Sequence, residues 1–260
     1  MKGLFSRGFI LLLSANFGLA QARADVKMPM LFGDHMVLQQ DSKIAVYGSA
    51  DAGESVEVNF AGQNVKTTAD ADGKWIVYLK PIKTKSAGQP LTVTGRNRIV
   101  YDDVVVGDVW VASGQSNMEW GLNLKKDYAD DIVASEDSLL RLFFVPRSTS
   151  LTPMSDMVMP EETTNPDWAG RWVLCTPEAL KKINGQGFSA AAYYFARDMR
   201  KANGRPLGII QSAWGGTRAE AWTSIEGLKQ EPSLAHYVAV YEQNVKDNPE
   251  ILASVSYTHL

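Results

Sequence analysis

The chain has 260 residues, is 45% hydrophobic and 21% charged, and contains 21 Gly and 11 Pro, a balance that excludes both a disordered polymer and a collagen-like repeat. Its 26 basic and 29 acidic residues give a net charge of −3, so there is no basic surplus and nucleic acid is not an expected partner. One cysteine, Cys175, rules out an intrachain disulfide framework, and with only three histidines beside it no metal site is expected.

Residues 1–24 follow the order of a secretory signal: Lys2 and Arg7, an apolar stretch over 9–20, then Ala22-Arg23-Ala24 as a small-x-small cleavage pattern. Cleavage after Ala24 and a periplasmic or secreted location are expected. The apolar stretch is shorter than the roughly 20 residues a bilayer span needs, and no later segment could cross. No stable membrane insertion is therefore expected once the signal is removed. Loss of Lys2, Arg7 and Arg23 leaves 23 basic against 29 acidic residues, a charge of −6.

Residues 25–103 read as short strands broken by turns. KIAVYG (43–48) and SVEVNF (55–60) alternate apolar and polar positions, as half-buried strands do. Asp70-Ala71-Asp72-Gly73 predicts a turn, with KWIVYL (74–79) after it as the second strand of a hairpin, and LTVTG (91–95) adds another strand. This spacing, without a convincing helix, predicts a small all-β, sandwich-like domain. Nothing titratable clusters there, and His35, in Gly33-Asp34-His35-Met36, is expected on a loop or the surface.

At Val104 the pattern changes. Residues 104–112 form a nearly continuous apolar run, expected of a strand buried on both faces of a parallel sheet. LLRLFFV (139–145) and LGIIQ (207–211) predict further strands. Between these two, Ser189 predicts an N-cap for a helix whose stripe is Phe188, Ala192, Phe195, Ala196 and Met199 and which Asn203-Gly204 stops. Residues 146–166, with four prolines, read as a long surface loop. Trp75, Trp110 and Cys175 are expected in the core. Residues 104–260 thus predict an α/β domain.

Ligands of open α/β sheets bind at the carboxyl ends of the strands, and two such ends carry unusual sequences. The first is Gly114-Gln115-Ser116-Asn117-Met118-Glu119-Trp120, where Gly114 would lift the Ser116 hydroxyl over the sheet edge. The second runs from Ser212 through Gly215-Gly216 to Trp222, and its paired glycines permit close approach of backbone N–H groups to a ligand. Taken singly, the first is also a good turn and the second a tight bend. Because both follow predicted strands, one sheet edge could present them together.

These residues resemble the sialate O-acetylesterase family. The resemblance lies in Gly107-Asp108-Val109-Trp110-Val111 leading to Gly114–Trp120, in residues 207–217 with Glu220-Ala221-Trp222, and in Leu31–Gln39 near the start. It implies an SGNH-like three-layer α/β/α domain, here incomplete, behind the all-β domain, and removal of O-acetyl groups from sialic acid or a related sugar. It makes Ser116 the nucleophile. The N–H of Ser116 and that of a glycine in the Gly215-Gly216 pair, Gly216 first, would form the oxyanion hole, with Gln115 and Asn117 alongside. Arg218 could meet a substrate carboxylate or be an exposed surface residue; Glu119 would order the loop or contact the neighbouring strand. Glu220 favours a helix dipole. An acetyl-serine mechanism of this kind needs no cofactor, and the expected partner is an O-acetylated carbohydrate. Acetyl-xylan cannot be told from sialate by motif, and nothing in the sequence sets the oligomeric state.

The sequence also departs from the family. The Asn oxyanion donor on a third strand and the general-base His with its preceding Asp do not occur. His236 follows Ser233 at that spacing in a polar, helix-like stretch, and His259 is penultimate. The chain therefore reads as the N-terminal portion of such an esterase, lacking the catalytic His, with an unpaired sheet edge and poor solubility as consequences. The alternative reading is a catalytically dead carbohydrate-binding or structural module in which Trp120, Trp214 and Trp222 stack on sugars.

Overall fold

The computed structural model describes residues 25–150, 153–159 and 168–248; the predicted signal at 1–24, part of the 146–166 loop, and His259 lie outside the described residues. Seven strands come first: β1 (Val37–Gln39), β2 (Ile44–Ser49), β3 (Ser55–Phe60), β4 (Gln63–Thr68), β5 (Lys74–Leu79), β6 (Lys85–Thr94) and β7 (Arg98–Gly114). Their alternation sets their faces. In β3, Val56, Val58 and Phe60 are buried while Ser55, Glu57 and Asn59 are not. The β2–β5 pair and the β4-β3-β6-β7 sheet close on one apolar core that includes Val46, Val58, Trp75, Leu79, Leu91 and Val104.

The hairpin predicted to end in KWIVYL is not formed. The hairpin is β3–β4, paired Phe60 to Gln63 across a two-residue turn, and β5 pairs instead with β2. The reason is visible in the side chains. β4 has one apolar residue, Val65, whereas β5 buries Trp75, Val77 and Leu79, so the chain crosses to the second sheet, from which these three close the core. The Asp70 carboxylate makes the crossing turn by accepting from the Asp72 and Lys74 amides.

β7 is 17 residues long and runs unbroken through position 103/104, so the two stretches of sequence are joined by one strand and not by a linker. Its first part pairs antiparallel with β6 and, at Val105–Gly107, parallel with β1. Its second part, from Asp108, pairs parallel with a later strand, β10 (Leu207–Ala213). At the handover, a Cβ on Gly107 would stand 2.0 Å from the Pro206 carbonyl oxygen.

Between β7 and β10 lie α1 (Ser116–Glu119), α2 (Ala129–Val133), β8 (Asp137–Phe144), β9 (Trp172–Cys175), α3 (Pro177–Lys182) and α4 (Ala190–Asn203). β10 is the central strand, parallel to both β7 and β8, and β9 runs antiparallel at the far edge. The fold is thus mixed α/β with a large sheet. α4 starts at Ser189, whose hydroxyl caps the Ala192 amide, and ends on Gly204 in the left-handed region. Its Ala192, Tyr193 and Ala196 pack with Leu140, Leu142, Ile209 and Phe188. After β10 come α5 (Ile225–Lys229) and α6 (Ala235–Asp247). Among the described residues no helix is long and apolar enough to cross a membrane.

Two core expectations are corrected. Phe195 is exposed, and Tyr193, two residues earlier, takes the buried place. Trp110 is exposed as well, its ring edge-on to Phe195 at 5.2 Å, and Val111 is 64% exposed. The run 104–112 is therefore not buried on both faces throughout: Val104–Val106 and Ala112 are buried. Beyond Asp108 the strand has β10 on one side, and among the described residues nothing pairs with its other edge.

Candidate active site

Three strand ends meet at one edge of the parallel sheet. Ala213 of β10 is opposite Gly114 of β7, so the chain leaves both strands at the same level, and the Trp214 amide still donates to the Gly114 carbonyl at 3.1 Å. Gly114 leaves with φ 145°, a backbone angle that disfavours any residue with a Cβ. Ser116 follows as the first residue of α1, with Ser116, Gln115 and Asn117 all exposed. The Gln115 side-chain oxygen caps the helix, accepting from the Ser116 amide at 3.2 Å and from its hydroxyl at 2.9 Å.

The Gly-Gly loop lies against this turn. A Cβ on Gly215 would be 3.5 Å from Ser116 Oγ. The Gly215 amide donates to Glu119 Oε2 at 2.5 Å. Gly216, exposed at φ 80°, follows it, and among the described residues its amide has no acceptor. Behind it the Thr217 hydroxyl donates to the Trp214 carbonyl and accepts from the Trp222 indole N–H, each at 2.7 Å, which closes the loop.

The third end is that of β8. Arg147, three residues past it, pairs through Nη2 with Glu119 Oε1 and lies 6.0 Å from the Trp214 ring. Burial pushes the Arg147 guanidinium below its usual range. Sequence reasoning missed Arg147. Its signal was a basic residue just beyond a predicted strand that ends at the same sheet edge.

Of the other predicted residues, Trp214 and Trp222 belong to the loop contacts above, whereas His236 and His35 stand apart from them. Arg218 is 81% exposed with the Glu220 carboxylate at 3.8 Å, a surface arginine. Trp120 and Trp222 are exposed and Trp214 half-buried. His236 is exposed on α6 and stacks on Tyr237. His35 does have a partner: its Nδ1 is 2.7 Å from Asp103 Oδ2, which also accepts from Arg141 at 2.6 Å. Asp103 precedes Gly114 by eleven residues of β7, roughly 35 Å at strand rise, so His35 cannot reach Ser116. Among the described residues no three potential metal ligands cluster.

A serine hydroxyl and glycine amides at the ends of adjacent parallel strands invite comparison with a solved carbohydrate acetylesterase from Xanthomonas citri. The chain matches it with a TM-score of 0.70 and 35% identity, over 78% of this chain and 43% of that one. In sequence it is 31% identical over 212 residues to a sialate O-acetylesterase of Rattus norvegicus, covering 75% of this chain and 37% of the relative. A second, of Mus musculus, is 29% identical over 240 residues, covering 85% and 42%. The chain is thus a homologue of the sialate O-acetylesterases, the family its two sequence blocks resemble, and it spans about two fifths of the length of the relatives it matches. No protein-family model matches it.

Proposed function

We propose that this chain carries the nucleophile side of a carbohydrate O-acetylesterase with an SGNH-like domain, exported by residues 1–24. Ser116 Oγ attacks the carbonyl carbon of an acetyl ester on a sugar. The Oγ proton passes to a base, the sugar hydroxyl departs protonated, and water then releases acetate from acetyl-Ser116. The developing oxyanion is held by the amides of Ser116 and Gly216, since that of Gly215 is committed to Glu119. For the Ser116 amide to serve, the Gln115 side chain must swing off it. His35 is bonded to Asp103 and His236 lies exposed on α6 against its neighbour Tyr237; the base is proposed to come from the part of the relatives' length that this chain does not span. The single observation that supports it is the adjacency of Ser116 Oγ and Gly215-Gly216 at the ends of paired parallel strands.

The test is turnover of a chromogenic acetate ester and of O-acetylated sialic acid by the chain and by Ser116→Ala. Ser116-dependent release of acetate is expected, at a rate reduced on the order of 10⁴-fold relative to a complete triad. Sugar binding with no turnover would refute the esterase reading in favour of a binding module built on Trp120, Trp214 and Trp222.

A further inference from the structure

One carboxylate ties together the ends of three strands. Glu119, at the end of α1 behind β7, accepts from the Gly215 amide behind β10 and pairs with Arg147 behind β8. Its side chain is only 13% exposed. Arg147 Nε is buried with no hydrogen-bond partner. Desolvating a pair of charges at a sheet edge is a poor way to gain stability, and an incompletely satisfied arginine makes it poorer. The arrangement does, however, fix a distance. A Cβ at position 215 would stand 2.3 Å from Glu119 Oε2, so the amide approaches the carboxylate as closely as it does only because residue 215 is glycine. With the Gly215 N–H held this way, the next peptide, which carries the Gly216 N–H, starts from a fixed point, and among the described residues that N–H has no acceptor.

We propose that Glu119 is a positioning residue: through the Gly215 amide it sets where the Gly216 N–H stands relative to Ser116 Oγ, and Arg147 holds the Glu119 carboxylate in place. The geometry is independent of the esterase reading, while its kinetic consequence rests on that reading. A displacement of about 1 Å between a nucleophile and an oxyanion donor costs on the order of 10²-fold in rate. Glu119→Ala should therefore lower kcat for an acetate ester by about that factor and leave KM within about threefold, because the contact matters at the transition state. Glu119→Gln keeps an oxygen for the Gly215 amide and loses the charge, so a drop of about tenfold is expected.

The experiment uses the full chain, ¹⁵N-labelled, with these two variants and Ser116→Ala. In amide spectra, Glu119→Ala should shift Gly215, Gly216 and Ser116 while β2 and β5 stay in place, with Glu119→Gln intermediate. An unmoved Gly215 amide in both variants, or an unchanged kcat in a variant whose Gly215 amide has moved, overturns the proposal. If wild type and Ser116→Ala turn over ester equally, the esterase reading falls, and the proposal is then overturned with it as far as catalysis is concerned, while the Gly215 shift still decides the tie. Should Glu119→Ala fail to fold, Glu119→Gln carries both readouts.

Discussion

Replacing Asp103 by Asn should destabilise the chain by about 2–3 kcal/mol, because it removes the charge facing a buried arginine. Arg141 is 3% exposed, its Nη1 donates to Asp103 Oδ2 at 2.6 Å, and its Nε has no partner. Breaking a buried ion pair typically costs about 3–5 kcal/mol. Asp103 is 37% exposed, so solvent screens part of the interaction and the estimate drops to about 2–3 kcal/mol. Asn is the right substitute: Asp103 sits at φ 55°, a conformation that Asn tolerates as well as Asp does, so backbone strain cancels. The pH dependence has a definite sign. Burial raises the Asp103 carboxyl, but hydrogen bonds from Arg141 and His35 outweigh it and hold the group below its ordinary value of 3.8. A carboxyl lowered in the folded state stabilises above its unfolded value, and that contribution is lost as pH falls through the folded one. Urea unfolding of wild type and Asp103→Asn should therefore differ at pH 7 and converge in acid, below about pH 4. The same pair compared in an Arg141→Met background should differ much less. A difference under about 0.5 kcal/mol at pH 7, or a difference that the Arg141→Met background leaves unchanged, refutes the reasoning.

Three further outcomes follow from local geometry. Ala61 and Gly62 turn the β3–β4 hairpin at φ 50° and 78°, the angles of a type I′ turn, so Ala61→Asn should stabilise by about 0.5–1 kcal/mol in urea unfolding. Gly107→Ala, which would put a methyl 2.0 Å from the Pro206 carbonyl, should cost more than about 2 kcal/mol in the same assay by forcing β7 and β10 apart. The Cys175 thiol is buried, and burial pushes it up to about 12; its reaction with a disulfide reagent at pH 8 should be at least about 10³-fold slower in the folded chain than in urea, measured as released chromophore.

The strands of the first hundred residues were legible because alternation is a local property: each of β2, β3 and β5 falls within a residue of its predicted span. Their partners were not, since the turn at 70–73 reads the same whether it returns the chain into one sheet or hands it to another. β4, with Val65 its one apolar residue, carried no pattern to see. The 104–112 run misled for a related reason. Apolar character reports what a segment can bury, but Trp110 and Val111 lie where β7 has β10 on one side, and burial depends on what covers that face.

The site shows the same division more sharply. Ser116 and Gly215-Gly216 could be picked out because Gly has a backbone signature and because both blocks follow apolar runs. That the two stand together is a consequence of register, Ala213 opposite Gly114, and register between strands separated by almost a hundred residues leaves no trace in either. Arg147 was invisible for a further reason: its role exists only once β8 is placed beside β10, which brings its guanidinium to Glu119. A pair of opposite charges far apart in sequence is unremarked among 26 basic and 29 acidic residues. What singles this pair out is that it is partly desolvated and attached to a glycine amide, and both properties belong to the assembled sheet edge. Residues that act directly on a substrate can be guessed from their type, whereas residues that hold them in place are recognised by their neighbours.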